Sequence, residues 1–286
     1  MGSVTSVSSG AMTISDASQW RVEMQARGMS PRTIVERLRI VDRISAHCGA
    51  TATELTREDL LAYLARDMAP SSRATYWAAL RAWSGWLQRT GRRTDDPTAT
   101  LDAPRTPKCS PHPITTDQLM ALLGSDMWQS TRAMVILAAW AGLRVHEIAK
   151  VRGEDVDGGS LLVVGKGGRT DRLPMHPEVA ALAARMPKRG WWFPSPADST
   201  RPVDRTSVSA GLSRALHRAG IDASAHSLRH WFGTMLVRNG VDLRTAQQLL
   251  RHESLATTAI YVQVDDEQRR AGIARLPAME RPPETA

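Results

Sequence analysis

Four side chains that could act together on a phosphate group lie near the carboxyl end of the sequence. His226 and Arg229 belong to the segment His-Ser-Leu-Arg-His-Trp, His252 follows Leu-Leu-Arg, and Tyr261 ends Thr-Thr-Ala-Ile-Tyr. A phenol has a pKa of about 10, so a nucleophilic tyrosine needs cationic neighbours, which arginine and histidine could supply. A structural tyrosine with a buried ring is the alternative. A zinc site is not expected, because the glutamate of a His-Glu-x-x-His motif is absent between His226 and His230.

Further cations that could bind an anion occur upstream. Arg144 follows an apolar segment at an expected helix N-terminus, where backbone N–H groups favour an anion. An ordinary pairing with Glu147 is the alternative for this arginine. Lys166 lies between glycines at an expected hairpin tip, which is also a common place for lysine, and the spacing is not that of an ATP-binding phosphate loop. Arg229 lies among apolar residues, so its half-buried guanidinium is expected to need an anionic partner.

The composition favours a polyanionic partner. The net charge is +8 and the pI about 10.3, and lysine supplies only four of the 37 basic residues. Arginine binds phosphate with two parallel hydrogen bonds, although a GC-rich genome would give the same bias. Cys48 and Cys109 are isolated, which fits a reducing compartment. No apolar run has membrane-spanning length and no signal peptide is apparent, so a cytoplasmic protein in a bacterial cell, with no membrane partner, is expected.

The first part of the chain is expected to be a helical domain. Residues 1–14 are rich in Ser, Gly and Thr and are expected to be a disordered tail. Residues 15–90 carry apolar stripes at helical spacing and cap signals such as Ser30-Pro31, which predict four or five short helices. Residues 91–113 are basic and rich in proline, so they are predicted to form a semi-extended linker.

The second part is expected to be mainly α with a small β-sheet or hairpin. The domain is predicted to span residues 114–264, and its segment 131–141 is almost wholly apolar and reads as a buried central helix. Residues 161–164 and 169–173 predict two strands joined by a glycine-rich turn. Residues 265–286 are predicted to be a C-terminal tail.

In chain order the motifs are Gly-Leu-Arg-x-x-Glu, a lysine in a β-turn, His-x-Leu-Arg-His, Leu-Leu-x-His and Thr-x-x-x-Tyr. This order resembles the tyrosine recombinase (phage integrase) family over residues 114–264, and residues 15–90 look like that family's core-binding domain. The resemblance implies a two-domain clamp on DNA. Residues 1–14 leave no room for an arm-type DNA-binding domain, so a short form of the family is expected.

The resemblance makes Tyr261 the nucleophile, which attacks a DNA phosphodiester, releases a 5′-hydroxyl and leaves a 3′-phosphotyrosyl link. It implies no ATP, no metal and no other cofactor, because the covalent link conserves the bond energy. It assigns the other roles to Arg144 and Arg229 as the phosphate clamp, Lys166 as the general acid, and His226 and His252 in proton transfer and phosphate binding.

The implied function is site-specific recombination by a phage or prophage integrase through a Holliday junction. The implied partners are double-stranded DNA with attachment-type core sites, three further copies in a homotetramer, and a directionality or host accessory factor, with the tail 265–286 packed on a neighbouring copy. The alternatives are a Xer-like resolution recombinase for chromosomes or plasmids, a topoisomerase-like enzyme, and a non-catalytic DNA-binding protein of the same fold.

Two positions depart from the family's pattern. Arg251 stands before the second histidine, where the family usually has glycine. It adds a bulky cation that either contacts DNA or repositions His252. His146 stands where the family often has a small polar residue. Neither departure removes a catalytic group, so an active enzyme is expected.

Overall fold

The computed structural model describes residues 14–105, 113–165, 168–252 and 258. As the sequence predicts, these residues are mainly helical and include one small β-sheet. Contacts divide the chain into two units, Met1–Cys109 and Ser110–Ala286. None of the helices in these ranges combines the length and the apolar composition that crossing a bilayer requires.

The described part of the first unit contains four helices, and side-chain caps start two of them. The Ser30 hydroxyl accepts the N–H of Thr33 at 3.2 Å, and Pro31 occupies the first turn. Thr56 and Asp59 cap each other's N–H groups in a reciprocal pair. The helices are α1 (Ile14–Ala26), α2 (Pro31–Cys48), α3 (Arg57–Leu64) and α4 (Pro70–Arg89).

Three tryptophans form much of one core of the first unit. Trp20 of α1 meets Trp83 of α4 edge to face, and Trp83 stacks on Trp86, each with ring centroids 4.9 Å apart. The indole N–H of Trp83 donates to the Ala52 carbonyl at 2.8 Å, so its polar atom is satisfied inside the core. These buried rings hold α1 against α4.

The region that the sequence predicts as a linker, residues 91–113, is partly folded onto the first unit. Thr98 is fully buried, and Leu101 belongs to a core cluster of this unit. The guanidinium of Arg81 donates to the Thr98 carbonyl at 3.0 Å. The start of this region therefore differs from a semi-extended connector, because its few apolar side chains reach the core. The domain boundaries themselves remain predictions.

The second unit surrounds the apolar helix α6. Reciprocal capping by Thr115 and Gln118 starts the helix before it. The buried residues of α6 face α8, α9 and α10 and form the centre of one large core. The helices are α5 (Thr116–Gly124), α6 (Gln129–Trp140), α7 (Val145–Ile148), α8 (Pro177–Arg185), α9 (Arg205–Arg218), α10 (Ala225–Arg238) and α11 (Leu243–Leu250).

The sheet has three antiparallel strands in the order β1 (Val156–Asp157), β2 (Ser160–Val164) and β3 (Thr170–Pro174). The predicted hairpin corresponds to β2 and β3, whose register pairs Leu161 with Leu173. The N–H of Gly165, directly after β2, donates to the carbonyl of Arg169, directly before β3, at 2.7 Å. Strand β1 was not predicted, because two residues are too few to show alternation.

Candidate active site

Gly142 places Arg144 at the start of α7. Its φ of 57° is in the left-handed region that favours glycine. A Cβ atom here would lie 2.4 Å from Cδ1 of Phe232, so the aromatic ring of α10 covers the position. The chain therefore turns sharply after α6 and directs Arg144 to the N-cap of α7.

Glu147 is the centre of the site, and its side chain has no exposed surface. Its Oε2 accepts the backbone N–H of Arg144 at 2.7 Å, and its Oε1 accepts the guanidinium of Arg144 at 2.9 Å. Oε2 also accepts Nη2 of Arg251 at 2.8 Å. Burial alone would raise the pKa of Glu147, but the charge and hydrogen bond of Arg251 and the N–H of Arg144 hold that pKa below its usual range.

Arg229 reaches the same place from α10 and is only 1% exposed. Its Nη1 donates to the Gly142 carbonyl and its Nη2 to the Leu250 carbonyl. Its Nη1 lies 3.9 Å from Oε2 of Glu147. The sequence predicts a half-buried arginine with an anionic partner. The structure buries the residue completely and supplies a carboxylate together with two carbonyls.

Three arginines bind the carbonyl groups at the C-terminus of α11. The Leu249 carbonyl accepts Nη1 of Arg251 at 2.9 Å, and the Leu250 carbonyl accepts Nη2 of Arg229. The Arg251 carbonyl accepts Nη2 of Arg144 at 3.2 Å. Cations stabilise this end of a helix, where carbonyls lack partners within the helix. The last turn of α11 is thereby fixed beside α7.

The two histidines of the predicted set differ in their surroundings. His252 follows α11 directly, and its Nδ1 lies 3.0 Å from Oγ1 of Thr258. Burial, with the charges of Arg229 and Arg144 next in effect, lowers the pKa of His252 to about 4. His226 lies in the first turn of α10 at a more exposed position. Partial desolvation of its ring and the same two arginines lower the pKa of His226 as well.

His252 is expected to remain neutral in the folded protein down to about pH 4. In the unfolded chain it takes up a proton near pH 6.5, so the unfolded state binds the proton first between these values. This group's contribution to stability is therefore complete above pH 6.5 and is lost as the pH falls toward 4. An NMR titration of the ring, assigned with His252→Gln, measures the midpoint. A midpoint near 6.5 would contradict the expectation.

A cavity of about 1220 Å³ opens at this cluster. Its walls come from the α7 region, strand β3 and helix α11. Arginines outnumber carboxylates in its lining, so the cavity attracts anions. The charged lining residues are Arg144, Arg169, Arg172, Arg244 and Arg251, against Glu147 and Asp171.

Four of the six predicted site residues lie within the described residues, and the structure brings Arg144, Arg229 and His252 to the same cluster as Glu147. Lys166 and Tyr261 lie outside the described residues. From the sequence, Glu147 is expected only as an alternative partner for Arg144, and its central place in the cluster is missed. The spacing of three residues between Arg144 and Glu147 is the signal that could have indicated it. No sequence signal points to the carbonyls of α11.

Residues 114–268 match the Phage integrase family. The tyrosine recombinase XerD of Xanthomonas axonopodis pv. citri (strain 306) is 36% identical over 223 residues, which cover 69% of this chain and 73% of that protein. An integrase from mycobacterium phage Brujita is 42% identical, with 93% of each chain covered and a TM-score of 0.50. A lambda integrase tetramer bound to a Holliday junction is 18% identical, with 84% of this chain and 77% of that chain covered and a TM-score of 0.68, which shows a similar fold.

Proposed function

Because this chain belongs to the phage integrase family of tyrosine recombinases, we propose that it is a phage or prophage integrase that joins DNA at attachment-type core sites. Its class of reaction follows from the family: it is a recombinase that cleaves and rejoins DNA. The proposal goes further in three respects: which residues carry out the reaction, which DNA sites are recombined, and whether the result is integration or resolution.

In the proposed reaction, Oη of Tyr261 attacks the scissile phosphorus atom and passes its proton to a histidine of the site, His226 or His252. The bond from phosphorus to the 5′-oxygen breaks, and Lys166 protonates the leaving 5′-oxygen. Arg144 and Arg229 bind the non-bridging oxygens, where negative charge increases in the transition state. Religation reverses these steps with the 5′-hydroxyl of a partner strand, so the number of phosphodiester bonds is unchanged.

The observation that carries the proposal is the cluster of three arginines around Glu147. A buried carboxylate with one arginine would be an ordinary ion pair, whereas three guanidiniums leave positive charge in excess. An excess of buried positive charge favours an anionic ligand. The neutral ring of His252 at the edge of this cluster can donate a hydrogen bond without adding charge, and it becomes a cation when it accepts a proton.

The cavity beside the cluster supports DNA as that anionic ligand. Its arginines form a basic surface that continues from Arg144 to β3 and α11, which suits successive phosphates of a nucleic-acid backbone. The lambda integrase relative is a tetramer on a Holliday junction. We therefore propose a tetramer of this chain on two DNA duplexes, with a directionality or host factor as a further partner.

Two candidate outcomes of recombination are supported to different degrees. The phage Brujita integrase is more similar over more of the chain than XerD, which favours integration. The similarity to XerD supports Xer-like resolution as the second candidate. Joining of two non-identical sites on separate molecules would support an integrase. Recombination only between two copies of one site would support a resolution enzyme.

The proposed function is tested with a pool of DNA duplexes that carry a nick beside a randomised segment. After cleavage near the nick, the short strand leaves and the covalent protein–DNA adduct accumulates. The expected result is an adduct that survives denaturation, a defined sequence in the recovered DNA, and a phosphotyrosyl peptide that contains Tyr261. Binding without any adduct would instead support a non-catalytic DNA-binding protein. Relaxation of supercoiled plasmids without sequence preference would support a topoisomerase-like enzyme.

A further inference from the structure

Arg251 adopts a backbone conformation that arginine rarely takes. It follows α11 with φ 53° and ψ 45°, and it is the one non-glycine residue with positive φ among those that the structure describes. L-residues are strained in this left-handed region, and such strain persists where surrounding contacts compensate for it. The side chain is also 5% exposed. An arginine that only contacted DNA would have no reason to be buried here.

The side chain of Arg251 joins two parts of the site. Its Nη2 donates to Oε2 of Glu147 at 2.8 Å and to the Gly142 carbonyl at 3.0 Å. Its Nη1 donates to the Leu249 carbonyl at 2.9 Å. The guanidinium therefore connects the end of α11, from which His252 follows, with the turn that carries the arginine of α7. A glycine at this position would make none of these bonds.

Arg251 also changes the charge of the cluster. Three arginines against one glutamate leave two positive charges in excess. A phosphodiester carries one negative charge, and the five-coordinate transition state of tyrosine attack carries about two on its non-bridging oxygens. Without Arg251, the cluster would have one positive charge in excess. The third arginine therefore matches the site to the transition state more closely than to the substrate.

We propose that Arg251 is a positioning residue that binds the Glu147 carboxylate and thereby leaves the charges of Arg144 and Arg229 to the scissile phosphate. The inference rests on the proposed function, because it needs a phosphodiester in the site. Arg251 itself does not have to touch DNA. Its effect on the rate is carried by the carboxylate that it shares with Arg144.

The test compares Arg251→Gly with the unchanged chain on the nicked duplex recovered from the selection. Glycine accepts the left-handed conformation, so the backbone of this turn is retained. Arg251→Lys keeps the positive charge but lacks the planar guanidinium group and its several N–H donors. Arg214→Ala removes an exposed arginine of α9 that donates to its own helix at Ala210, and serves as the control for lost charge. Single-turnover cleavage is measured on the natural phosphate and on a methylphosphonate, which lacks one negative charge at the same position.

On the natural phosphate, Arg251→Gly is expected to lower the cleavage rate about 100-fold, with a smaller loss for Arg251→Lys and none for Arg214→Ala. On the methylphosphonate, the loss for Arg251→Gly is expected to shrink to about threefold, because less charge has to be stabilised. Equal losses on both substrates would overturn the inference and leave Arg251 with a structural role. An unchanged rate on the phosphate would overturn it as well. Failure of the unchanged chain to form any adduct would instead overturn the proposed function, and the inference with it.

Discussion

Replacement of Tyr261 by phenylalanine is expected to abolish the covalent adduct, with a loss of at least about 10⁴-fold in cleavage. The substitution removes the single oxygen that would bond to phosphorus and keeps the aromatic ring. DNA affinity is expected to stay within about threefold, because phosphate contacts from many arginines dominate binding. Adduct formation on the nicked duplex and a mobility-shift assay measure the two quantities separately.

Tyr76→Phe is the matched control for this prediction. It removes one phenolic oxygen, which accepts a hydrogen bond from Arg43 at 3.0 Å in the first unit, and adduct formation should continue. Residual adduct from Tyr261→Phe above the background of a protein-free reaction would show that another residue is the nucleophile. Loss of adduct from both variants would show that the assay reports folding or binding.

Replacement of Glu147 by alanine is expected to lower the free energy of unfolding of the second unit by about 3–5 kcal/mol. The carboxylate is completely buried and accepts hydrogen bonds from Arg144 and Arg251. Without it, these guanidiniums and the nearby Arg229 repel one another with no anion between them. Scanning calorimetry at pH 7 can separate the unfolding of the two units and measures the change.

Glu178→Ala is the control for loss of a carboxylate. Glu178 is exposed in the first turn of α8, and its loss is expected to cost less than about 1 kcal/mol. The loss of unfolding free energy for Glu147→Gln should lie between the losses for Glu147→Ala and Glu178→Ala, because the amide keeps the shape of the side chain and one oxygen acceptor. A loss for Glu147→Ala no larger than that for Glu178→Ala would contradict a central role for this carboxylate. Addition of a polyanion such as heparin, which carries sulfate groups, should partly restore the stability of Glu147→Ala.

The parts of the fold that depend on local signals were predictable from the sequence. The cap at Ser30-Pro31, the apolar α6 and the paired strands β2 and β3 are confirmed, because capping and periodicity act over a few neighbouring residues. Strand β1 and the packing of Leu101 were not predicted. Both depend on partners from other segments, and a single sequence does not identify those partners.

The sequence was enough to predict which residues form the site, but it was not enough to predict how those residues contact one another. The order of the motifs identified Arg144, Arg229 and His252, which the structure places together. The inward turn of Arg251 could not be foreseen, because it depends on a carboxylate more than a hundred positions earlier in the chain. The sequence offers the pairing of Arg144 with Glu147 as an alternative to phosphate binding. The structure contains that ion pair, and a guanidinium that contacts one carboxylate can also bind a phosphate.

The carbonyl groups at the end of α11 have a consequence for the entropy of DNA binding. In the folded chain, Arg144 donates to the Arg251 carbonyl and Arg229 donates to the Leu250 carbonyl. An arginine side chain carries about 2 kcal/mol of rotamer entropy, and here that freedom is lost when the chain folds. Arriving DNA therefore meets guanidiniums whose directions are already set. Ordering of these long side chains should contribute little to the entropy change of association, so the site acts as a preorganised template.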